Sequence, residues 1–154
     1  MRALLQRVTR ASVAIDGNPT GSIGLGLVVF IGISKEDSPA DSLHIVDKTT
    51  NLRIFSDNEG KFQSSALDTN AELLVVSQFT LYGNTRKGRR PSFTNAAMPE
   101  IAKSLFEHTL QLFKETGLRV ETGRFQANME VSIVNDGPVT IMLDSDNRQI
   151  PKAN

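Results

Sequence analysis

The chain has 154 residues, 39% of them hydrophobic, and no cysteine. That length suits one domain, read over residues 1–154, with a core large enough to fold without disulfides or a structural metal. The missing thiols exclude thiolate catalysis and cysteine-ligated zinc and fit a reducing cytoplasm, while seventeen basic and seventeen acidic side chains cancel and leave no global field toward nucleic acid or an anionic membrane.

The opening Met1-Arg2-Ala3-Leu4-Leu5-Gln6-Arg7-Val8 reaches its second arginine before an apolar signal region of about 7 to 15 residues can develop, so no export signal is read. Leu4 to Ile15 follows as a strand with a mixed face, marked by Val8, Ser12, Val13 and Ile15. Gly17-Asn18-Pro19 is a turn. The longest apolar run, Ile23 to Ile33, falls short of the roughly 20 residues a bilayer needs. It is expected as a buried strand, antiparallel to the first. A helix is expected from Ser38-Pro39, a cap followed by a proline suited to the first turn. Its stripe of Leu43, Val46 and Leu52 ends near Ile54 or Phe55.

Ser56 to Asn70 is polar and turn-rich, with one short strand near Lys61 to Gln63, and Ala71 to Leu81 returns to strand character. The second helix is strongly periodic, with Ile101, Ala102, Leu105, Phe106, Leu110, Leu112 and Phe113 at three- and four-residue intervals and Gly117 as its stop. The remaining chain is strand-like. The fold class is therefore mixed α/β, with two helices packed on one side of the sheets.

Gly137-Pro138 lies in Asn135-Asp136-Gly137-Pro138-Val139-Thr140, between the strand-like runs Met129 to Val134 and Val139 to Leu143. Proline lacks the N–H a ladder requires and belongs at edges, bulges or turns. Two readings stand: a hairpin turn, or a backbone loop aimed at a ligand.

Familiar side-chain catalysts find little support. A Ser-His-Asp triad would draw on Ser77 or Ser132, on His44 or His108, and on Asp136, but both histidines fall within amphipathic helices without partner motifs. They also lack metal-ligand spacing, so neither metal nor cofactor is expected. Gly24-Leu25-Gly26 runs into a strand, where a nucleotide fingerprint needs a helix start. Asp144 and Asp146 are explained as terminal polar residues. Two segments remain. Ser77-Gln78-Phe79-Thr80-Leu81-Tyr82-Gly83 ends the apolar strand Leu73 to Val76, where unpaired backbone N–H groups, hydroxyls and an amide gather. Arg86, Lys87, Arg89 and Arg90 then crowd one loop, with no acidic residue between Glu72 and Glu100.

Ser77-Gln78-Phe79-Thr80-Leu81 together with Asn135-Asp136-Gly137-Pro138-Val139-Thr140 resembles the D-aminoacyl-tRNA deacylase family. The likeness extends to residues 1–8, to Arg89-Arg90-Pro91-Ser92-Phe93 and to Thr122-Gly123-Arg124-Phe125. Gln126 and Asn128 depart from it, where smaller or acidic residues are expected at the flank of the pocket. The resemblance implies mostly antiparallel β-sheets forming a barrel-like core. It also implies a homodimer that hydrolyses the ester of D-aminoacyl-tRNA, and of glycine mischarged on noncognate tRNA. A cis Gly137-Pro138 would project into the partner's active site, hold the substrate ammonium on backbone carbonyls and exclude an L side chain.

On that reading Gly137 and Pro138 serve chiral selection, and Ser77, Gln78 and Phe79 shape and hydrogen-bond the pocket. Thr80 is either a nucleophile or a bystander to a reaction assisted by the 2′-hydroxyl of the terminal adenosine. Arg86, Lys87, Arg89 and Arg90 contact tRNA phosphates. The alternatives are a non-catalytic, dimeric nucleic-acid-binding module and a purely structural dimer.

Overall fold

The computed structural model describes residues 1–149. Its centre is a six-stranded sheet. Strand β1 (Arg2–Ile15) pairs antiparallel with β3 (Gly26–Gly32) through its first half and with β2 (Asn18–Ile23) through its second. Along its other edge runs β8 (Glu130–Asp144), also antiparallel. Beyond β3 lie β6 (Glu72–Ser77) and β7 (Val120–Thr122), joined in parallel. Parallel neighbours need long crossovers. The β3–β6 connection carries α1 (Pro39–Asn51), the hairpin of β4 (Phe55–Ser56) and β5 (Phe62–Ser64), and α2 (Ala66–Thr69); the β6–β7 connection carries α3 (Pro99–Glu115). The sheet curls until β2 meets β7, where a Cβ on Gly21 would lie 3.2 Å from the Thr122 carbonyl oxygen. The expected barrel-like core is present, nearly closed.

β3 and β6 are buried on both faces, which is why they read as unbroken apolar runs. Leu27, Val29, Ile31, Leu73 and Val75 face the main core beneath α1 and α3. Val28, Leu74 and Val76 face a second cluster with Val8, Ala11 and Val13. β1 serves both because its register against β8 shifts between Val8 and Arg10. The extra residue flips the alternation, so Ala3 and Leu5 enter one cluster while Ala11 and Val13 enter the other. Each buried valine, leucine or isoleucine among them contributes about 1.5–3 kcal/mol by leaving water.

Both long helices were expected. Ser38 caps α1 with its hydroxyl and N–H donating to Asp41 Oδ2 at 2.7 and 2.9 Å, and Pro39 opens the first turn. The hydroxyls of Thr109 on α3 and Ser42 on α1 are hydrogen-bonded to each other at 2.8 Å inside the core.

Several boundaries moved. The first turn is Asp16-Gly17, both at positive φ, and Asn18 and Pro19 start an edge strand. The run from Ile23 to Ile33 is divided between two strands that follow β1 in the same direction, with a bend at Gly24-Leu25 between them; at Gly26, where β3 begins, a Cβ would stand 1.9 Å from the Glu72 carbonyl oxygen. α1 stops at Asn51 as Leu52 turns extended, and the one-turn α2, with Ser65 capping it, had no apolar stripe to reveal it. Residues 130–144 form one strand rather than a hairpin. Val8 pairs with Asn135 and Gln6 with Thr140, so Asp136 to Val139 bulge out opposite Arg7 alone.

Candidate active site

β6 delivers its last residue, Ser77, to the rim of the barrel, and the Gln78 N–H extends the ladder by donating to the Ile31 carbonyl at 2.7 Å. The chain then leaves strand geometry for a 3-10 turn, Phe79–Tyr82, so the strand expected to reach Leu81 is shorter. Gly32 permits this. A Cβ there would stand 3.0 Å from Leu81 Cβ and 3.1 Å from the Gln78 carbonyl oxygen.

The turn borders a cleft of about 660 Å³. Phe30, Ile31 and Val76 form its floor, Phe93 and the segment Ala96 to Pro99 one wall, and Phe125 to Met129 the other. Ser77, Gln78 and Phe79 all line it. Phe79 is 58% exposed and held by an edge-on contact with Phe93, ring centroids 4.9 Å apart. A lining of aromatic and aliphatic groups with a few polar ones suits a small organic moiety.

Thr80 belongs to the same turn but not to the cleft lining. Its hydroxyl oxygen accepts a 2.6 Å hydrogen bond from Gln78 Nε2, a donor that cannot take up a proton. Neither histidine lines the cleft; His44 is on α1 and His108 on α3. Among the described residues no group of three or more His, Asp or Glu is placed to hold a metal ion.

Gly137 and Pro138 lie elsewhere on the chain, outside this lining. Their peptide bond is cis. The bulge that carries them is held from both sides. Asn135 Oδ1 accepts the Val139 N–H at 2.8 Å while its Nδ2 donates to the Val139 carbonyl at 3.0 Å. From β1, the buried Arg7 donates through Nη1 to the Ile54 carbonyl at 2.7 Å and to Ser56 Oγ at 3.2 Å, with its guanidinium 5.6 Å from the centre of the Phe62 ring. Gly137 has φ +126, and a Cβ on it would meet Val139 Cγ2 at 2.8 Å and Arg7 Nη2 at 3.1 Å. Only glycine fits there.

Arg86, Lys87, Arg89 and Arg90 are exposed on a loop closed at its neck by Asn84 and Ser92, which exchange backbone hydrogen bonds of 2.8 and 2.9 Å. Phe93, Phe125 and Met129 were not singled out for the cleft; distant segments bring them together, and no local spacing announces them. Gln126 and Asn128, noted as departures, do line the cleft, Gln126 at positive φ.

The D-Tyr-tRNA(Tyr) deacylase family matches residues 4–144. A D-aminoacyl-tRNA deacylase of Thermotoga petrophila is 53% identical over 94% of this chain and 97% of its own. That of Clostridium botulinum (strain Alaska E43 / Type E3) is 59% identical over the same shares. Among solved structures, the c-Myc DNA Unwinding Element Binding Protein superposes with a TM-score of 0.88 at 43% identity, covering 94% of this chain and 98% of that one. A probable eukaryotic D-amino acid tRNA deacylase reaches 0.81 at 19% identity over 92% and 97% and shares the fold. The chain belongs to the D-Tyr-tRNA(Tyr) deacylase family, a family of D-aminoacyl-tRNA deacylases.

Proposed function

We propose that this deacylase proofreads chirality: it hydrolyses the ester joining a D-amino acid to the terminal ribose of tRNA, accepts glycine mischarged on noncognate tRNA, and rejects L-aminoacyl esters through Gly137-Pro138. The observation that carries the reading is the cleft at the end of β6, where Ser77, Gln78 and Phe79 meet Phe93 in a chain of this family.

Gly137 and Pro138 are exposed and lie outside their own chain's cleft. A homodimer that inserts them into the partner's cleft reconciles that separation with a role in selection. There the backbone carbonyls would receive the substrate ammonium, and the rigid main chain would leave no room for an L side chain. Glycine, lacking a side chain, would pass the same test. A tRNA substrate fits a cytoplasmic enzyme, and among the described residues no helix is long and apolar enough to cross a membrane.

Chemically, Thr80 is a poor nucleophile without a base to activate it. The 2′-hydroxyl of the terminal adenosine is adjacent to the ester and both donates and accepts hydrogen bonds, so it can orient water. A backbone N–H of the 3-10 turn would steady the oxyanion, a contribution of roughly 3–4 kcal/mol. Arg86, Lys87, Arg89 and Arg90 would meet tRNA phosphates.

The likeness to a DNA-unwinding-element binding protein supports a second reading, a non-catalytic nucleic-acid module. One assay separates them: incubation with D-tyrosyl-, L-tyrosyl- and glycyl-tRNA, following free amino acid. Loss of the D and glycyl esters alone supports proofreading. Binding without hydrolysis supports the module.

A further inference from the structure

A second cleft, of about 560 Å³, lies on the other side of the Phe79–Tyr82 turn. Where the first is largely apolar, this one is polar, and of the residues given roles above only Arg86 lines it. Two stretches of chain wall both clefts. The turn and its continuation present Phe79 to the first and Tyr82, Gly83 and Asn84 to the second, while the segment after Phe93 presents Ala96 and Ala97 to the first and Asn95 to the second. The two clefts therefore share these two stretches of chain as walls.

The walls are built rigidly. Arg2 spends Nε on Asp144 and Nη1 on the Leu81 carbonyl, each at 3.0 Å, and its guanidinium lies 4.7 Å from the centre of the Tyr82 ring. The Lys35 N–H donates to the Asn95 carbonyl at 3.2 Å, which keeps these two neighbours in register. Asn84 Oδ1 accepts the Arg86 N–H at 3.0 Å, which fixes the start of the basic loop at the rim. Among the described residues, neither Lys35 nor Arg86 has an ion-pair partner.

Charge here is mixed, since Glu36 and Asp146 also line the cleft. Such a lining disfavours a bare polyanion. It favours a ligand with one negative group and several neutral donors and acceptors, which is the chemistry of a single nucleotide: a phosphodiester for Lys35 and Arg86, a base edge and ribose hydroxyls for Asn84, Asn95 and the carboxylates.

We propose that this polar cleft is a second subsite, which takes the penultimate nucleotide of the single-stranded 3′ end of tRNA while the aminoacyl ester occupies the first cleft. The inference rests on the aminoacyl-tRNA reading and deepens it: the enzyme would recognise a single strand two nucleotides long, threaded over the Phe79–Tyr82 turn toward the basic loop.

The test compares D-tyrosyl-tRNA with 3′-D-tyrosyl-adenosine, which lacks the penultimate unit, in the wild type and in Lys35→Ala/Asn95→Ala. Losing a charged contact and an amide should lower the ratio of kcat/KM on the tRNA to that on the adenosine ester at least about tenfold. An unchanged ratio overturns the subsite, and so does an equal loss on both substrates, which would mean the pair acts through the first cleft. A wild type inert on both substrates would instead sink the deacylase reading. Binding then decides the subsite alone: by NMR titration the wild type should bind the trinucleotide cytidylyl-cytidylyl-adenosine more tightly than adenosine, with shifts at Lys35 and Asn95, and the double variant should lose that preference. Equal affinity for the two in the wild type rules the subsite out.

Discussion

Arg7 Nε lies 3.2 Å from both the carbonyl oxygen and the carboxylate Oδ2 of Asp136, tying β1 to the shoulder of the bulge that displays Gly137 and Pro138. The same guanidinium reaches Ile54 and Ser56, so one buried side chain joins β1, the approach to the β4–β5 hairpin and β8. Lysine carries the charge but not the planar fork, and cannot serve all these acceptors. Arg7→Lys should therefore lower stability by about 2 kcal/mol, less than a fully buried pair would cost because Asp136 is partly exposed. It should also raise hydrolysis of L-aminoacyl-tRNA relative to the wild type, as the bulge loosens. Urea unfolding and a paired D/L assay measure both, and unaltered selectivity at reduced stability would confine Arg7 to a folding role.

Thr80→Ala should retain measurable deacylation, because the Thr80 hydroxyl has an amide and not a base beside it. A substrate ending in 2′-deoxyadenosine should be inert. A folded Thr80→Ala enzyme that binds tRNA but releases no amino acid would return the hydroxyl to the centre of the chemistry.

Replacing Arg86, Lys87, Arg89 and Arg90 with glutamine should weaken binding of different tRNAs alike. If all contact phosphates, the slope of log K against log salt should flatten by about 3 to 4. A slope that stays as steep would move the tRNA to another face.

Gly123 offers a change that reaches the cleft without breaking the fold. A Cβ there would lie 2.3 Å from Met129 Sδ, and a flexible thioether can give way where backbone could not. Gly123→Ala should therefore cost no more than about 1 kcal/mol of stability while pushing Met129 off its place in the cleft wall, so that KM for D-tyrosyl-tRNA rises several-fold. Thermal unfolding and steady-state kinetics separate the two effects; an unchanged KM would show that the cleft absorbs the displacement.

Acid should find a weak point at Asp41. Burial alone would raise its pKa, but hydrogen bonds from the Ser38 hydroxyl and N–H, a further one from Ser145 and the charge of Arg148 outweigh it and bring the value down from 3.8 to about 2. A carboxyl whose folded pKa is depressed contributes stability that is complete above its unfolded pKa and disappears as pH falls through the folded one. About 2 kcal/mol should thus be lost between pH 5 and pH 2. Asp41→Asn should flatten that limb in urea unfolding series, and an equally steep limb in the variant would place the acid sensitivity elsewhere.

Much of this architecture is legible along the chain, because period and punctuation carry it. Pro39 sits at a helix start, Gly117 at a helix end, and the apolar alternation of β1 and the solid runs of β3 and β6 report how each is covered. The two candidate segments could also be marked, since Ser77-Gln78-Phe79 follows a solid apolar strand and Gly137-Pro138 interrupts another. What could not be read was long-range geometry. Asn135-Asp136-Gly137-Pro138 has the composition of a turn, and its tie to Arg7, far away in sequence, helps hold it as a bulge within one strand. Phe93 and Met129 reach the cleft through tertiary packing, with no local pattern to betray them.

The two hydrogen bonds between the Asn135 carboxamide and the Val139 backbone, one donated and one accepted, imitate those a peptide group of a neighbouring strand would supply. The bulge is thus furnished with its own missing rung. A molecule docking against Gly137 and Pro138 would meet a surface whose ordering was completed during folding, and association there should proceed with little loss of conformational entropy.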